Sequence, residues 1–112
     1  MERPFFIRVR SRDTITILDV KGSITGTWAL DLKARLQNIQ EEGIQRLIIN
    51  FREVDSIDSI GMMALNMAVM GGLKICAVHL PSHDLEMILK QVGLIVYASE
   101  NLALETLRGG PP

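Results

Sequence analysis

Residues 46–73, RLIINFREVDSIDSIGMMALNMAVMGGL, constrain the fold more than any other stretch. Leu47, Ile48, Ile49 and Phe51 make a short run of β-branched and large apolar residues, the pattern of a strand buried on both faces. Glu53 to Asp58 follow as an acidic loop, in which Asp-Ser-Ile occurs twice in tandem. Residues 60–70 are apolar almost all round, with only Ile60 and Val69 β-branched, which predicts a helix buried on most faces. Gly71-Gly72 stops it. A buried strand thus delivers a polar, hydroxyl-bearing loop to the first turn of a buried helix. Loops held on such a scaffold are where function usually sits.

The flanking segments supply the remaining layers. Residues 5–10 and 14–20 read as two strands, and Ser11-Arg12-Asp13 between them is too short for a parallel crossover. They form an antiparallel hairpin, its first strand alternating Ile7 and Val9 with Arg8 and Arg10 as an edge strand does. After the loop at 22–26, Thr27 reads as an N-cap, with Trp28, Leu32, Leu36 and Ile39 as the inner face of a helix ending at Gly43. Residues 73–78 form another strand. Pro81-Ser82 opens a helix with Leu85, Ile88, Leu89 and Val92 on one face. Residues 94–97 make a last short strand, and Ser99 caps a final helix with Ala103, Leu104 and Leu107 turned inward. Residues 109–112, Gly-Gly-Pro-Pro, are expected to be a flexible tail. The 112 residues therefore read as one α/β domain. An N-terminal antiparallel hairpin joins parallel strands in a mixed sheet packed with about four helices.

Charge and chemistry narrow the function. Twelve basic and thirteen acidic residues give a net charge of −1, so there is no electrostatic basis for binding nucleic acid. Cys76 is the single cysteine, which excludes an internal disulfide and a cysteine-based zinc site. The start, Met-Glu-Arg-Pro, lacks the build of a signal peptide, and the longest apolar run falls short of the ~20 residues of a membrane span. The expectation is a cytoplasmic domain without membrane insertion. Glu53, Asp55 and Asp58 have no catalytic base or electrophile beside them. They read as acids suited to turns and helix starts. His79 and His83 read as loop histidines, and Cys76 as an inert buried thiol. Gly22 and Gly26 lack the Lys-Ser/Thr of a phosphate loop. Met62, Met63, Met67 and Met70 read as core. Neither a metal nor a cofactor is expected, and no active site is apparent.

The loop serines remain. Ser59 reads as the N-cap of the second helix, or as a phosphorylation site, with Ser56 the competing choice. A phosphoserine adds about −1.5 to −2 charges beside Asp55 and Asp58. The helix N-terminus offsets this by only ~0.3–1 kcal/mol, so the fold tolerates the group. A partner docked on the same surface would not, since desolvating added like charge costs several kcal/mol. The chemistry suits a binding switch.

Val54-Asp55-Ser56-Ile57-Asp58-Ser59-Ile60-Gly61-Met62 resembles the signature loop of STAS domains, the fold of bacterial anti-sigma factor antagonists. Aligned on Gly61, Asp58 and Ser59 match that signature's Asp-Ser, while Ile60 replaces its second hydroxyl residue. Leu18, Val20, Gly22 and Ile24 resemble the family's second strand and exit. Thr25 stands where antagonists usually carry Asp. The stretch from Val92-Gly93-Leu94 to Ala103-Leu104 resembles the family's C-terminal end. The resemblance implies a non-enzymatic binding module with Ser59 as phosphoserine, and Thr25, Asp58, Ile60, Gly61 and Met62 at the partner surface. It implies as partners an anti-sigma serine kinase of the histidine-kinase-like ATPase class and a resetting serine phosphatase, and it allows a homodimer. Two other readings stay open. One is a constitutive scaffold subunit of a signalling or lipid- or anion-transport assembly. The other is a nucleotide or small-ligand site at the helix N-termini near Thr25 and Ser59.

Overall fold

The computed structural model describes residues 5–108, so the tail at 109–112 lies outside it. In chain order the elements are β1 (Phe6–Arg12), β2 (Ile15–Ile24), α1 (Gly26–Glu41), β3 (Arg46–Ile57), α2 (Ser59–Met70), β4 (Lys74–Val78), α3 (His83–Gln91), β5 (Ile95–Val96) and α4 (Glu100–Arg108). The strands lie in the order β1-β2-β3-β4-β5, with β1 antiparallel to β2 and the other pairings parallel. This is the expected mixed α/β sheet, with the hairpin at one edge and β3 inside. The hairpin turns at Asp13 and Thr14, both at positive φ (53° and 68°), which matches a tight two-residue turn to the strand twist.

Alternation along the strands splits the core in two. Leu18 and Val20 of β2, Leu47, Ile49 and Phe51 of β3, and Ile75 and Ala77 of β4 pack in one cluster with α1, α2 and α3. Ile15, Ile17, Ile48, Cys76 and Val78 face the other way and meet Ala103, Leu104 and Leu107 of α4. Three helices thus cover one face, and a single short helix covers part of the other.

Four local expectations are corrected. β3 does not end at Phe51 but runs to Ile57, because β2 extends beside it and pairs Ser23 with Ser56 and Ile24 with Ile57. The acidic stretch is mostly strand, with Val54 turned inward and Asp55 and Ser56 outward. α1 starts earlier than expected, at Gly26 with Thr25 as its cap, so Thr27 is already helical. Ala29, Leu32, Leu36 and Ile39 are its buried residues. Trp28, in the first turn, remains 39% exposed and stacks on Phe5 with ring centroids 5.5 Å apart. Finally, α2 is buried on one face only, through Gly61, Ala64, Leu65 and Ala68. These mostly small side chains bring it close to its neighbours, and Met63, Met67 and Met70, read as core, turn outward instead while Met62 is half-buried.

Polar contacts fasten the far side of the sheet. Arg10 donates to Asp19 at 2.7 Å and also to Glu100, Arg12 donates to Glu100 at 2.8 Å, and Arg8 to Asp19 at 3.0 Å. Asn50 adds a 2.9 Å bond to Asp19, and Arg46 reaches the Leu107 carbonyl. The Arg10 guanidinium foremost, then Asn50 and Arg8, hold the Asp19 carboxyl well below the usual carboxylate range. Arg10 and then Arg12 lower Glu100 in the same way.

Two outcomes follow. Leu65 is fully buried, so Leu65→Ala should lose about 2–5 kcal/mol in denaturant unfolding; a loss below about 1 kcal/mol would contradict its place in the core. For Asp19 and Glu100 the folded pKa lies below the unfolded one. Their contribution is therefore complete above the unfolded value of about 4 and fades as pH falls below it. The thermal midpoint should drop on acidification through that window, and Asp19→Asn should flatten the drop.

Candidate functional site

Two strand-to-helix junctions lie side by side at the C-terminal ends of β2 and β3. The Asp58 N–H donates to the Ile24 carbonyl at 3.2 Å, closing the sheet at this end. Asp58 Oδ1 accepts from the Gly61 N–H at 2.9 Å and so caps α2. Its Oδ2 accepts from the Gly26 N–H, also at 2.9 Å, at the first residue of α1. One carboxylate joins both helix starts. The Gly61 N–H, then that of Gly26, hold its carboxyl below the usual carboxylate range.

The cap is therefore Asp58, not Ser59 as the sequence suggests. Asp58 has the extended backbone of a cap (φ −102°, ψ −175°) and two acceptor oxygens, one for each helix. A serine hydroxyl cannot reach in both directions at once. Ser59 becomes the first helical residue, exposed, with no hydrogen bond to its hydroxyl among the described residues. Ser56 is exposed too, but it lies within β3 and its Oγ bonds Ser23 Oγ at 3.1 Å.

Gly61 is buried and sets how closely α2 approaches the sheet. A Cβ there would lie 2.6 Å from the Ile24 carbonyl oxygen and 2.7 Å from Ile57 Cγ1. Ile60 and Met62 are half-buried, with Ile60 packed on the main core. Thr25 is half-buried as well. Its carbonyl accepts from the N–H groups of Trp28 and Ala29, while its side chain makes no cap bond. Of the expected surface residues, the structure thus gathers Thr25, Asp58, Ser59, Ile60, Gly61 and Met62 around one pair of junctions.

Sequence reasoning missed the surface next to them. Met63, Met67 and Met70 are 44%, 46% and 78% exposed. Counting from Ser59 the steps are four, four and three residues, so these side chains form one stripe along α2 headed by the serine. The small residues Gly61, Ala64 and Ala68 mark the opposite, packed face and were the available signal. Elsewhere, burial raises the Cys76 thiol pKa, and no cluster of three or more metal-ligating side chains occurs among the described residues.

The geometry yields two tests. Gly61→Ala should destabilise by about 1–3 kcal/mol in chemical unfolding, because backbone and packed side chains must yield. Asp58→Ala should move the amide resonances of both Gly26 and Gly61, since both lose an acceptor. A change at Gly61 alone would refute the bridge.

The chain's fold recurs in solved structures. An anti-sigma factor antagonist from Mycobacterium paratuberculosis matches with a TM-score of 0.77 at 19% identity, over 96% of this chain and 99% of that one. The anti-sigma factor antagonist SpoIIAA in its unphosphorylated form matches at 0.71 and 19%, over 95% and 99%. The Bacillus cell fate determinant SpoIIAA in its phosphorylated form matches at 0.67 and 18%, over 94% and 100%. At such identities the likeness establishes the fold. No curated protein sequence matches the chain. The family model of the STAS domain, however, matches residues 6–94, from β1 past the end of α3 and through the Asp58–Gly61 turn. The chain belongs to the STAS domain family.

Proposed function

We propose that this STAS domain is a non-enzymatic regulatory module of the anti-sigma factor antagonist type, switched by phosphorylation of Ser59. Its partner is a serine kinase of the histidine-kinase-like ATPase class, and a serine phosphatase resets it. The observation that carries the reading is the position of Ser59, an exposed hydroxyl without a hydrogen bond at the head of an exposed methionine stripe. Methionines are flexible and polarizable, which suits a docking surface. A phosphate at the head of the stripe places about −1.5 to −2 charges where a docked partner would have to desolvate them. The domain itself loses little, because Ser59 is not the cap and an anion is tolerated at a helix N-terminus. Two of the structural neighbours are SpoIIAA without and with phosphate.

Incubation with the cognate kinase, followed by mass spectrometry, tests the site. Phosphate is expected on Ser59, and Ser59→Ala should abolish uptake while preserving partner binding. Ser59→Asp should weaken binding by up to about a hundredfold, equivalent to about 3 kcal/mol, with the melting temperature almost unchanged. Met67→Asp should weaken binding comparably without unfolding the domain, since that side chain is exposed. Phosphate on Ser56 alone, or on neither serine, would refute the proposal.

A further inference from the structure

The sheet face that carries α4 is only partly covered. Beyond the apolar patch under that helix lies a polar cavity of about 620 Å³, within the size range of small-molecule sites. Phe6, Arg8, Arg10 and Arg12 alternate along β1 and share its edge. Asp19 and Lys21 of β2 and Asn50 and Arg52 of β3 continue it, and Glu100 and Asn101 close one end. His79 lies just past β4, so the cavity reaches the carboxyl end of that strand, a place where open α/β sheets usually take ligands.

We propose that this cavity binds a small organic phosphate, its phosphate groups held by the arginine row and Arg52, and a flat apolar part lying on Phe6. Five cations (Arg8, Arg10, Arg12, Lys21 and Arg52) face three carboxylates (Asp19, Glu53 and Glu100), which leaves a surplus of two positive charges. The three β1 arginines share Asp19 and Glu100. Those bonds orient the guanidinium groups yet use only part of the five donors each carries. Arg52 makes no ion pair among the described residues. Lys21 and Glu53 form an exposed pair at 3.0 Å, the kind worth little and easily exchanged. Guanidinium forks match phosphate oxygens two at a time. The surplus matches a dianion, whereas a monoanion gains less against the flanking carboxylates. Phe6, 54% exposed at the cavity, offers a ring face for stacking. Glu53 and Glu100 interrupt any longer basic track, which disfavours an extended nucleic acid. The site lies on the sheet face away from α1 and α2, so it stands or falls separately from Ser59.

Titration of the full chain with ATP, pyrophosphate and a poly-glutamate peptide, followed by amide NMR shifts at low salt, tests the proposal. ATP should saturate with Kd below about 1 mM and perturb residues 6–12, 19–21 and 50–53. Arg52→Ala, at an exposed position without an ion pair among the described residues, should weaken ATP and pyrophosphate about tenfold. Phe6→Ser should weaken ATP alone, and Lys74→Ala, outside the cavity, should change neither. Absence of saturation, shifts centred on residues 59–62, indifference to Arg52→Ala, or tighter binding of poly-glutamate than of ATP would each overturn it. Indifference of ATP to Phe6→Ser would overturn the stacking assignment.

Discussion

The double acceptance by Asp58 is the constraint from which the candidate site of this domain follows. A helix start leaves backbone N–H groups without partners, and here two starts meet at the carboxyl ends of adjacent strands β2 and β3. A single carboxylate supplies one acceptor to each, at Gly26 and at Gly61. This fixes the spacing of α1 and α2, and the missing side chain at Gly61 lets α2 rest against the Ile24 backbone. Because the cap is already filled, the neighbouring hydroxyl at Ser59 has no structural duty. The fold can thus present a serine at a helix N-terminus without depending on it for stability, as a reversible modification requires.

The same geometry explains what the sequence could and could not disclose. The order of strands and helices was legible because the period signals are strong. Examples are the β1 alternation, the 47–51 run, and the Ala103, Leu104 and Leu107 face of α4. The cap was not legible, because Asp58 and Ser59 are adjacent and both residue types favour that position. What selects Asp58 is the Gly26 N–H, brought in from a junction 32 residues away. The length of β3 was hidden for a related reason. Polar residues at 55–56 look like a loop until β2 provides backbone partners. Trp28 was misplaced because it lies in the first turn of α1, where its ring stacks on Phe5 and stays partly exposed.

The methionine stripe and the arginine row illustrate a second limit. Composition reports averages, and both surfaces are segregations within an ordinary average. A net charge of −1 conceals five cations on one side of the sheet. A mostly apolar helix conceals that its small residues and Leu65 pack while Met63, Met67 and Met70 face solvent. In both cases the missing information is which side a neighbouring element occupies, a property of the assembled sheet.

The bond between Arg108 and Asp13 spans 95 residues, and those from Arg12 to Glu100 and Asn101 span almost as many. The last helix therefore closes over the first hairpin. On the ribosome, β1 and β2 emerge before α4, and Ile15 and Ile17 stay uncovered until that helix follows. Contacts of such separation form late, because ordering the intervening chain precedes any gain from them. Until α4 arrives, the nascent domain carries a sticky apolar face beside Arg10 and Arg12, whose shared acidic partner Glu100 has yet to be translated. That order makes the second face of the sheet, away from α1 and α2, the vulnerable one during synthesis.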